Sequence, residues 1–432
     1  MRMNRREALG GLAVGGLAAS GVASWGVHRR SLGLPVRSCV TVYAPASNGG
    51  KPYVVDPFGR VVGTNGTKTD GIQEALRYAA AHGYNVHIAG GQYLATTSVV
   101  VPALSQFSFT SDSFQLEFPE AVGAADGLVF DSLVRGYVNL PGLIRYCGTG
   151  RAVVFEPRNP ASAWQVSRVL DSKLFFGSIS VVSAASRVVY MTTSGNRAAS
   201  IVYCEFNFVE LVAEGHPGRN VPVLFEIDAP HDGFSFNFVS CPDIHGFASI
   251  LVSEGTATKG RNYVYGNDWN VGFQINGSIP AIGFQTYANF SNGRIHAGLD
   301  NVASTYQHYI NYAGNASNNY FEVFASPGGN QPTGGPIGCN STAHTNTTVL
   351  KNGLFSSGAV ALKPSPFTFV NTFQRQVYLG IAGGKVTRVA LGNPAGEEIP
   401  LGNAASPILL KPGYAVTVSY VDPPAINYLM GD

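Results

Sequence analysis

Short apolar and aromatic segments recur along this chain, and polar turns separate them. "CEFNFVEL" (204–211) and "FSFNFVSC" (234–241) place Asn207 and Asn237 in matching contexts, and looser echoes follow in "RNYVYGND", "FSNGRIHAG" and "NNYFEVFA". Steps of about 25 to 30 residues between short strands are typical of a solenoid or a propeller. Because the WD and kelch signatures of propellers are absent, we expect a β-solenoid of roughly eight coils between residues 95 and 330. We expect the recurring asparagines to face inward at its turns and to bond to backbone groups. A large β-sandwich with coincidental repeats is the alternative.

The composition agrees with a large buried core. Of 432 residues, 45% are hydrophobic and only 12% are charged, and the chain holds 20 Tyr and 25 Phe. The charged share is about half the usual one, and the chain is too apolar to be disordered. The formal charge is +2, and no basic cluster follows the first thirty residues, so we expect no nucleic acid partner.

The first residues, "MRMNRREALGGLAVGGLAASGVASW", have the layout of an export signal. Arg5 and Arg6 resemble the twin-arginine motif, and a weakly apolar, Gly-rich stretch follows them. An uncleaved membrane anchor is the alternative, but residues 8–23 are short for a span of about 20 residues. We therefore predict a secreted or cell-surface protein. The five cysteines show no metal-ligand spacing, and we expect them to be small buried residues.

One amphipathic helix precedes the strands. Its apolar face holds residues at i, i+3, i+4 and i+7, namely Ile72, Ala75, Leu76 and Ala79. Asp70 with Gln73 fits a capping box, and Gly83 fits a C-cap. Period-two alternation follows, with Val86, Ile88, Val99 and Val101 on one face. The pattern predicts a helix that covers the open end of the solenoid.

These residues also resemble a known family. The matching positions are Gly66, Asp70, Ile72, Gln73, Ala75, Leu76, Ala79, Ala80, Gly83, Val86, Ile88, Gly91 and Tyr93. They are similar to the opening of the pectate-lyase-like superfamily, in which an aspartate-rich loop leads to an A-I-Q-x-A helix and then to G-x-V-x-I-P-x-G-x-Y. The chain departs from this pattern at Gly71 and in "AGGQY", which lacks the proline. The resemblance implies an all-β fold, a right-handed parallel β-helix. It does not fix the activity, because the superfamily includes hydrolases, lyases, epimerases and non-enzymatic virus spikes.

The C-terminal region has a different pattern. "RQVYLGIAGGKVTRVALGN" predicts a hairpin with Gly383 and Gly384 at its turn, and two more strands flank Pro412 and Gly413. We expect a small antiparallel β-sandwich. It resembles terminal modules that follow viral β-helix spikes, and a carbohydrate-binding or capping sandwich is the alternative. The predicted divisions are an export signal (1–28), an N-terminal extension (29–65), the β-helix (66–330), a linker (331–365) and the C-terminal β-sandwich (366–432).

Candidate site residues come from three aligned segments, "PDIHGF", "GNDWNV" and "GRIHAG". The first column is Asp243, Asp268 and Arg294, and the second is His245, Asn270 and His296, both with steps of 25 and 26 residues. The apolar residues between them are Ile244, Trp269 and Ile295, which can point into the core while their neighbours face outward. Glu214 and His216 precede the first segment by 29 residues. If the coils stack in this register, the columns lie about 4.8 Å apart.

This arrangement predicts a catalytic set of Asp243, Asp268, Arg294 and His296. Two close carboxylates can divide the acid and base roles of glycoside hydrolysis. Alternatively, the carboxylates bind Ca²⁺ while Arg294 or His296 takes the proton in a β-elimination. Otherwise we expect no metal or cofactor. The substrate-binding candidates are His245, Asn270, Glu214 and His216.

The comparison with polygalacturonases is imperfect at each motif. Those enzymes carry adjacent aspartates, Gly-His-Gly and Arg-x-Lys. This chain has Asn267-Asp268, Ile244-His245-Gly246 and Arg294-Ile295-His296. We therefore predict a secreted protein that hydrolyses or β-eliminates an acidic polysaccharide along the β-helix face. A non-catalytic, glycan-binding adhesin or virus-spike-like protein, possibly a homotrimer, is the alternative.

Overall fold

A computed structural model gives the fold. It describes residues 38–45, 50–159, 167–196, 198–214, 221–230, 233–256, 264–275, 280–299, 306–325, 332–334, 337–339, 345–351, 357–359, 364–371, 377–393, 396–402 and 408–430. The predicted export signal lies outside these residues. Within them, no helix has both the length and the apolarity that crossing a membrane requires.

The amphipathic helix extends over Ile72–His82, and its predicted apolar face is buried. It ends at Gly83, whose φ of 70° is left-handed, as predicted for a C-cap. The predicted capping box is wrong. Gly71 occupies the N-cap position, and the Thr69 hydroxyl accepts the bond from the Gln73 backbone N–H at 3.1 Å. The Asp70 carboxylate instead accepts a bond from the backbone of Leu94, because Asp70 itself adopts a left-handed φ of 47°.

Three sheets of mainly parallel strands form the body of the protein. The first sheet contains Cys39–Tyr43, Tyr53–Val55, Val61–Val62, Asn85–Ile88, Gly91–Leu94, Ser108–Ser111, Phe114–Phe118, Tyr137–Tyr146, Lys173–Val181, Glu205–Ala213, Phe238–Gly246, Asp268–Ile275, Asn292–Leu299, Tyr320–Ala325 and Thr347–Lys351. The second sheet contains Val99–Val101, Leu128–Phe130, Arg151–Phe155, Arg187–Thr192, Val221–Asp228, Ala248–Glu254, Ala281–Thr286, Tyr306–Tyr312 and Ile337–Cys339. The third sheet contains Leu104–Ser105, Leu133–Val134, Arg168–Leu170, Ser200–Val202, Phe234–Ser235 and Val264–Tyr265. A short 3-10 helix, Glu120–Val122, follows one first-sheet strand.

The chain visits the second, third and first sheets in turn, and each strand pairs in parallel with its counterpart one coil away. This is a right-handed parallel β-helix, as predicted. Alternate residues of the strands face inward and fill the core. Aromatic rings continue this core from coil to coil, with centroids 5.8 Å apart for Phe225 and Trp269 and 5.0 Å apart for Trp269 and Phe284.

The turn between the third and first sheets, here named the corner, has one left-handed residue in each of eight coils within the described part of the chain. These residues are Gln106, Arg135, Asp171, Tyr203, Phe236, Gly266, Phe290 and Asn318. The next residue turns inward and bonds to neighbouring coils. Asn237 accepts a bond from the Cys204 backbone at 3.0 Å, and its own amide donates to Asn267 at 3.2 Å. Inward-facing asparagines are thus present as predicted.

The predicted equivalence of Asn207 and Asn237 is wrong. Asn207 pairs with Ser240, whereas Asn237 aligns with Cys204, so the two asparagines occupy different positions of the coil. Coil length is the cause. The step from Gly136 to Ser172 is 36 residues, whereas other coils are shorter.

The C-terminal region contains two antiparallel sheets with a core of their own. One contains Ser357–Ala359, Ala425–Met430, Val377–Ala382 and Ile408–Leu410, and the other contains Phe367–Val370, Ala415–Asp422, Lys385–Gly392 and Glu398–Gly402. The predicted sandwich is therefore present. The predicted hairpin is wrong, because the strands on either side of Gly383 and Gly384 belong to different sheets. These two left-handed glycines cross from one layer to the other.

Four cysteines are free thiols. Cys204 and Cys241 are buried as predicted, and burial raises the pKa of the Cys204 thiol to about 12. Cys39 and Cys147 are only half-buried. The side chain of Cys339 lies outside the described part of the structure.

Candidate active site

The two predicted aspartates do not lie opposite each other. Asp268 pairs with Phe238, five residues before Asp243 along the same strand. At about 3.3 Å per residue, the two positions are about 16 Å apart along the sheet. The predicted register is therefore wrong, because the coil from Phe238 to Asp268 is 30 residues long instead of 25.

The direction in which these residues point is nevertheless as predicted. Ile244, Trp269 and Ile295 are buried in the core of the β-helix. The residues before and after each of them lie on the outer face of the first sheet, and those of the later two strands are exposed. Local alternation therefore identified the face but not the pairing.

Arg294 and His296 lie on this face beside other partners. Arg294 pairs with Asn270 on one side, and its Nε lies 3.4 Å from a Glu322 carboxylate oxygen on the other. The His296 ring stacks on Phe324, with centroids 4.7 Å apart. Partial burial raises the pKa of Asp268, and the nearby charge of Arg294 opposes this shift without cancelling it.

Glu214 and His216 do not join these residues. Glu214 is exposed and lies 3.6 Å from Arg145, which also lies 3.6 Å from Glu117. His216 lies outside the described residues. The role predicted for Glu214 in substrate binding stays a prediction.

The structure does bring Asp243 together with a carboxylate that the sequence patterns did not indicate. Asp243 lies directly opposite Glu210 on the preceding coil. Glu210, Asp243 and His245 each offer one ligand atom, and these three atoms lie within 4.8 Å of one another. We name these three residues the acid–histidine cluster. His245 Nε2 lies 3.0 Å from Glu210 Oε1, and the Ser178 hydroxyl donates to Glu210 Oε2.

These contacts control the charge of Glu210. Burial alone would raise the pKa of its carboxyl, but the hydrogen bonds from Ser178 and His245 and the charge of the imidazole outweigh burial. The pKa therefore lies below the usual glutamate value, and Glu210 is ionised at neutral pH. All three members of the cluster are half-buried, so solvent and ligands reach them.

A β-bulge positions Asp243. Pro242 and Asp243 together oppose the single residue Gly272 on the next coil, where the register shifts. Such a bulge bends a strand and redirects a side chain. A Cβ atom on Gly272 would lie 2.0 Å from the Pro242 carbonyl oxygen, so only glycine allows this close approach.

The donor set was also compared with the Ca²⁺ that a lyase would use. Ca²⁺ takes six to eight oxygen ligands, whereas the cluster supplies two carboxylates and an imidazole. Imidazole suits Zn²⁺ and other transition metals better. The cluster therefore does not fit Ca²⁺, and no step of a reaction is derived through this ion.

The fold and the cluster together define a right-handed parallel β-helix with an acid–base site on its first sheet. No family model matches the chain, and no curated protein matches it. Among solved structures, the chain is similar to the enzymatically active domain of tailspike protein 4 of bacteriophage CBA120, with 9% identity and a TM-score of 0.35 over 83% of this chain and 66% of that chain. It is also similar to the Dettilon tailspike protein, with 9% identity and a TM-score of 0.28 over 98% and 99% of the two chains.

A third similar structure is the tailspike protein of E. coli bacteriophage HK620 in complex with a pentasaccharide, with 11% identity and a TM-score of 0.28 over 87% of this chain and 92% of that chain. At these identities and TM-scores, the similarities assign neither a family nor an activity to this chain.

Proposed function

We propose that this protein hydrolyses an acidic polysaccharide bound along the outer face of the first sheet. The observation that carries the proposal is the direct pairing of Glu210 with Asp243, with His245 in the same cluster. Two close carboxyl groups can supply both an acid and a nucleophile or base.

Glu210 suits the second of these roles, because its lowered pKa keeps it ionised. Its carboxylate attacks the anomeric carbon or activates a water molecule. Asp243 or His245 donates a proton to the leaving glycosidic oxygen, so that one water is consumed and one new reducing end is formed. A spacing within 4.8 Å is closer to that of retaining glycosidases, about 5–5.5 Å, than to that of inverting ones.

The surface around the cluster supports a polymeric, acidic substrate. The outer face continues over many coils, so an extended chain can contact several of them. Asn270 and Asn292 expose amides that can bond to sugar hydroxyls. The Arg294 side chain is 68% exposed and can bind a sugar carboxylate.

Elimination is less well supported than hydrolysis. The predicted base Arg294 pairs with Glu322, which stabilises its charged form, and the cluster does not fit Ca²⁺. A non-catalytic glycan-binding protein would use the same face without turnover. Export by the signal predicted at residues 1–28, which would bring the protein to extracellular polysaccharides, is part of the proposal. The homotrimer stays a prediction.

The test uses the mature chain on alginate, polygalacturonate, hyaluronan and xanthan. Reducing ends without absorbance at 235 nm support hydrolysis, and proton NMR of the first product gives the anomeric outcome, which we expect to be retention. Absorbance at 235 nm would establish elimination instead. Binding without any product would establish the non-catalytic alternative.

A further inference from the structure

We infer that four aromatic side chains at the corner form a second glycan-binding subsite. They are Tyr203, Phe236, Tyr265 and Phe290, one from each of four successive coils, and we name them the aromatic ladder. This inference rests on the proposed function and deepens it, because it assigns a sugar-stacking surface outside the acid–histidine cluster.

The ladder is continuous and open to solvent. Its side chains are 61%, 48%, 40% and 54% exposed in chain order. The Tyr203 and Phe236 rings are parallel, with centroids 5.4 Å apart, and Tyr265 lies edge-on to Phe236 at 5.2 Å. Large aromatic residues are usually buried in a core or an interface, so an exposed row of them indicates a binding surface.

The backbone gives independent support. Tyr203, Phe236 and Phe290 have φ values of 56°, 56° and 60°, in the left-handed region that is unfavourable for bulky residues. The same corner position holds Gly266 and Asn318 in other coils, so the fold accepts residues for which this conformation costs less. Strained residues persist at functional sites, and the turn itself does not require aromatic ones.

Gly266 makes room for one ring of the ladder. A Cβ atom at this position would lie 2.9 Å from the Phe236 ring, and a larger side chain would displace it. The coil that contains Gly266 instead carries its aromatic residue one position earlier, at Tyr265, which extends the row. The sequence of this coil therefore preserves the ladder.

The size of the ladder favours a sugar over a second copy of this chain. Four aromatic side chains, about half exposed, present about 400 Å². A stable protein interface buries about 800 Å² on each partner. Amides of Asn289, Asn292 and Asn318 lie on the same coils as the ladder or on the next one, and can bond to the hydroxyl groups of a sugar whose apolar face stacks on a ring.

The ladder is also continuous with the proposed active site. Phe236 immediately precedes the strand Phe238–Gly246, which carries Phe238, Ser240 and Asp243 on its outer face. Seven residues separate Phe236 from Asp243, a path of about 23 Å along an extended strand. One polysaccharide chain of several sugar units can therefore contact both surfaces.

The test measures oligosaccharide affinity in a chain that cannot turn over its ligand. The parent is Glu210→Gln, and the ladder variant adds Tyr203→Asn and Phe236→Asn, since asparagine tolerates the left-handed backbone. The matched control adds Phe58→Asn, which removes a phenylalanine that is 67% exposed near the N-terminus of the β-helix. The probes are oligosaccharides from alginate, polygalacturonate, hyaluronan and xanthan, titrated by calorimetry. Melting temperatures check that each variant is folded.

We expect the ladder variant to bind at least about tenfold more weakly than the parent, as stacking losses of 1–3 kcal/mol imply, while the Phe58→Asn control binds like the parent. Equal affinity of the ladder variant and the parent, with cleavage by the wild type intact, would overturn the ladder subsite and leave the proposed function standing. An oligomer that the ladder substitutions dissociate, again with unchanged affinity, would assign the ladder to a second copy. If the wild type neither binds nor cleaves any probe, both proposals are overturned.

Discussion

Glu210 and Asp243 lie directly opposite each other on adjacent coils of the first sheet, and His245 lies 3.0 Å from Glu210. Two carboxylates this close repel each other unless protons or cationic groups intervene. Ser178 and His245 both bond to Glu210, so the charge is stabilised on that member of the pair. The cluster therefore has two chemically unequal carboxyl groups, which general acid–base chemistry requires.

Removal of the Ser178 hydroxyl should move the pH profile of the reaction. The bond from Ser178 lowers the pKa of Glu210, so Ser178→Ala should raise this pKa towards the usual value. Because a base or nucleophile must be ionised, the fall of kcat/KM on the acid side should then shift to higher pH. Ser178→Thr keeps a hydroxyl and should retain the wild-type profile. An unchanged acid limb in Ser178→Ala would exclude Glu210 as the group that must be ionised.

The bulge beside Asp243 should depend on Gly272. A methyl group there would meet the Pro242 carbonyl at 2.0 Å, so Gly272→Ala should cost about 1–3 kcal/mol of unfolding free energy and reduce activity. Gly298→Ala is the matched control, because the nearest atom to its Cβ, the Phe273 carbonyl oxygen, is 3.2 Å away. Urea unfolding measures both. Equal losses in the two variants would show that the close approach at Gly272 has no special cost.

The inward asparagines should contribute strongly to stability. The Asn319 side chain accepts a bond from the Ser291 backbone and donates to Ala288 and Asn346, all at 2.8–2.9 Å. Asn319→Ala leaves these buried groups unpaired and should cost about 3 kcal/mol. The exposed Asn292→Ala should change stability by less than about 0.5 kcal/mol. Similar urea midpoints for the two variants would contradict the role assigned to Asn319.

Glu254 should make stability depend on pH. It is fully buried and accepts bonds from Asn267, Trp269, Thr286 and Ser291. Burial raises its pKa above 4.5, so the folded state binds its proton more tightly than the unfolded state. Stability from this group is therefore full below about pH 4.5 and falls as the pH rises through the folded-state pKa.

Two variants separate charge from hydrogen bonding at this position. Glu254→Gln keeps an acceptor for three of the four donors and removes the charge, so its stability relative to the wild type should improve as the pH rises above 4.5. Glu254→Ala removes every acceptor and should cost about 3–5 kcal/mol at all pH values. Thermal unfolding from pH 4 to 8 provides the comparison. Parallel curves for Glu254→Gln and the wild type would contradict the raised pKa.

Local patterns predicted much of this fold. The helix Ile72–His82 followed from its apolar spacing, and the inward direction of Ile244, Trp269 and Ile295 followed from strand alternation. Both depend only on residues a few positions apart, which secondary structure brings to one face.

The candidate site could not be predicted in the same way, because it depends on the pairing of strands from different coils. The step from Asn270 to Arg294 is 24 residues, whereas the step from Glu210 to Asp243 is 33. Turns between the sheets absorb this difference, so a constant period misplaces side chains by several residues. Glu210 and Ser178 have no motif around them, and only the three-dimensional register identifies them as partners of Asp243.

The most direct test of the account compares reducing-end release by Glu210→Gln, Asp268→Asn and the wild type on the polysaccharide that the wild type cleaves, with Asp112→Asn as an exposed control outside the site. The account predicts that Glu210→Gln loses about 10²–10⁴-fold in kcat while its Kd for the polysaccharide is unchanged. Asp268→Asn should retain most of the wild-type kcat, because Asp268 lies about 16 Å from the cluster. Loss of turnover in Asp268→Asn together with full activity in Glu210→Gln would contradict the assignment of the active site to Glu210, Asp243 and His245.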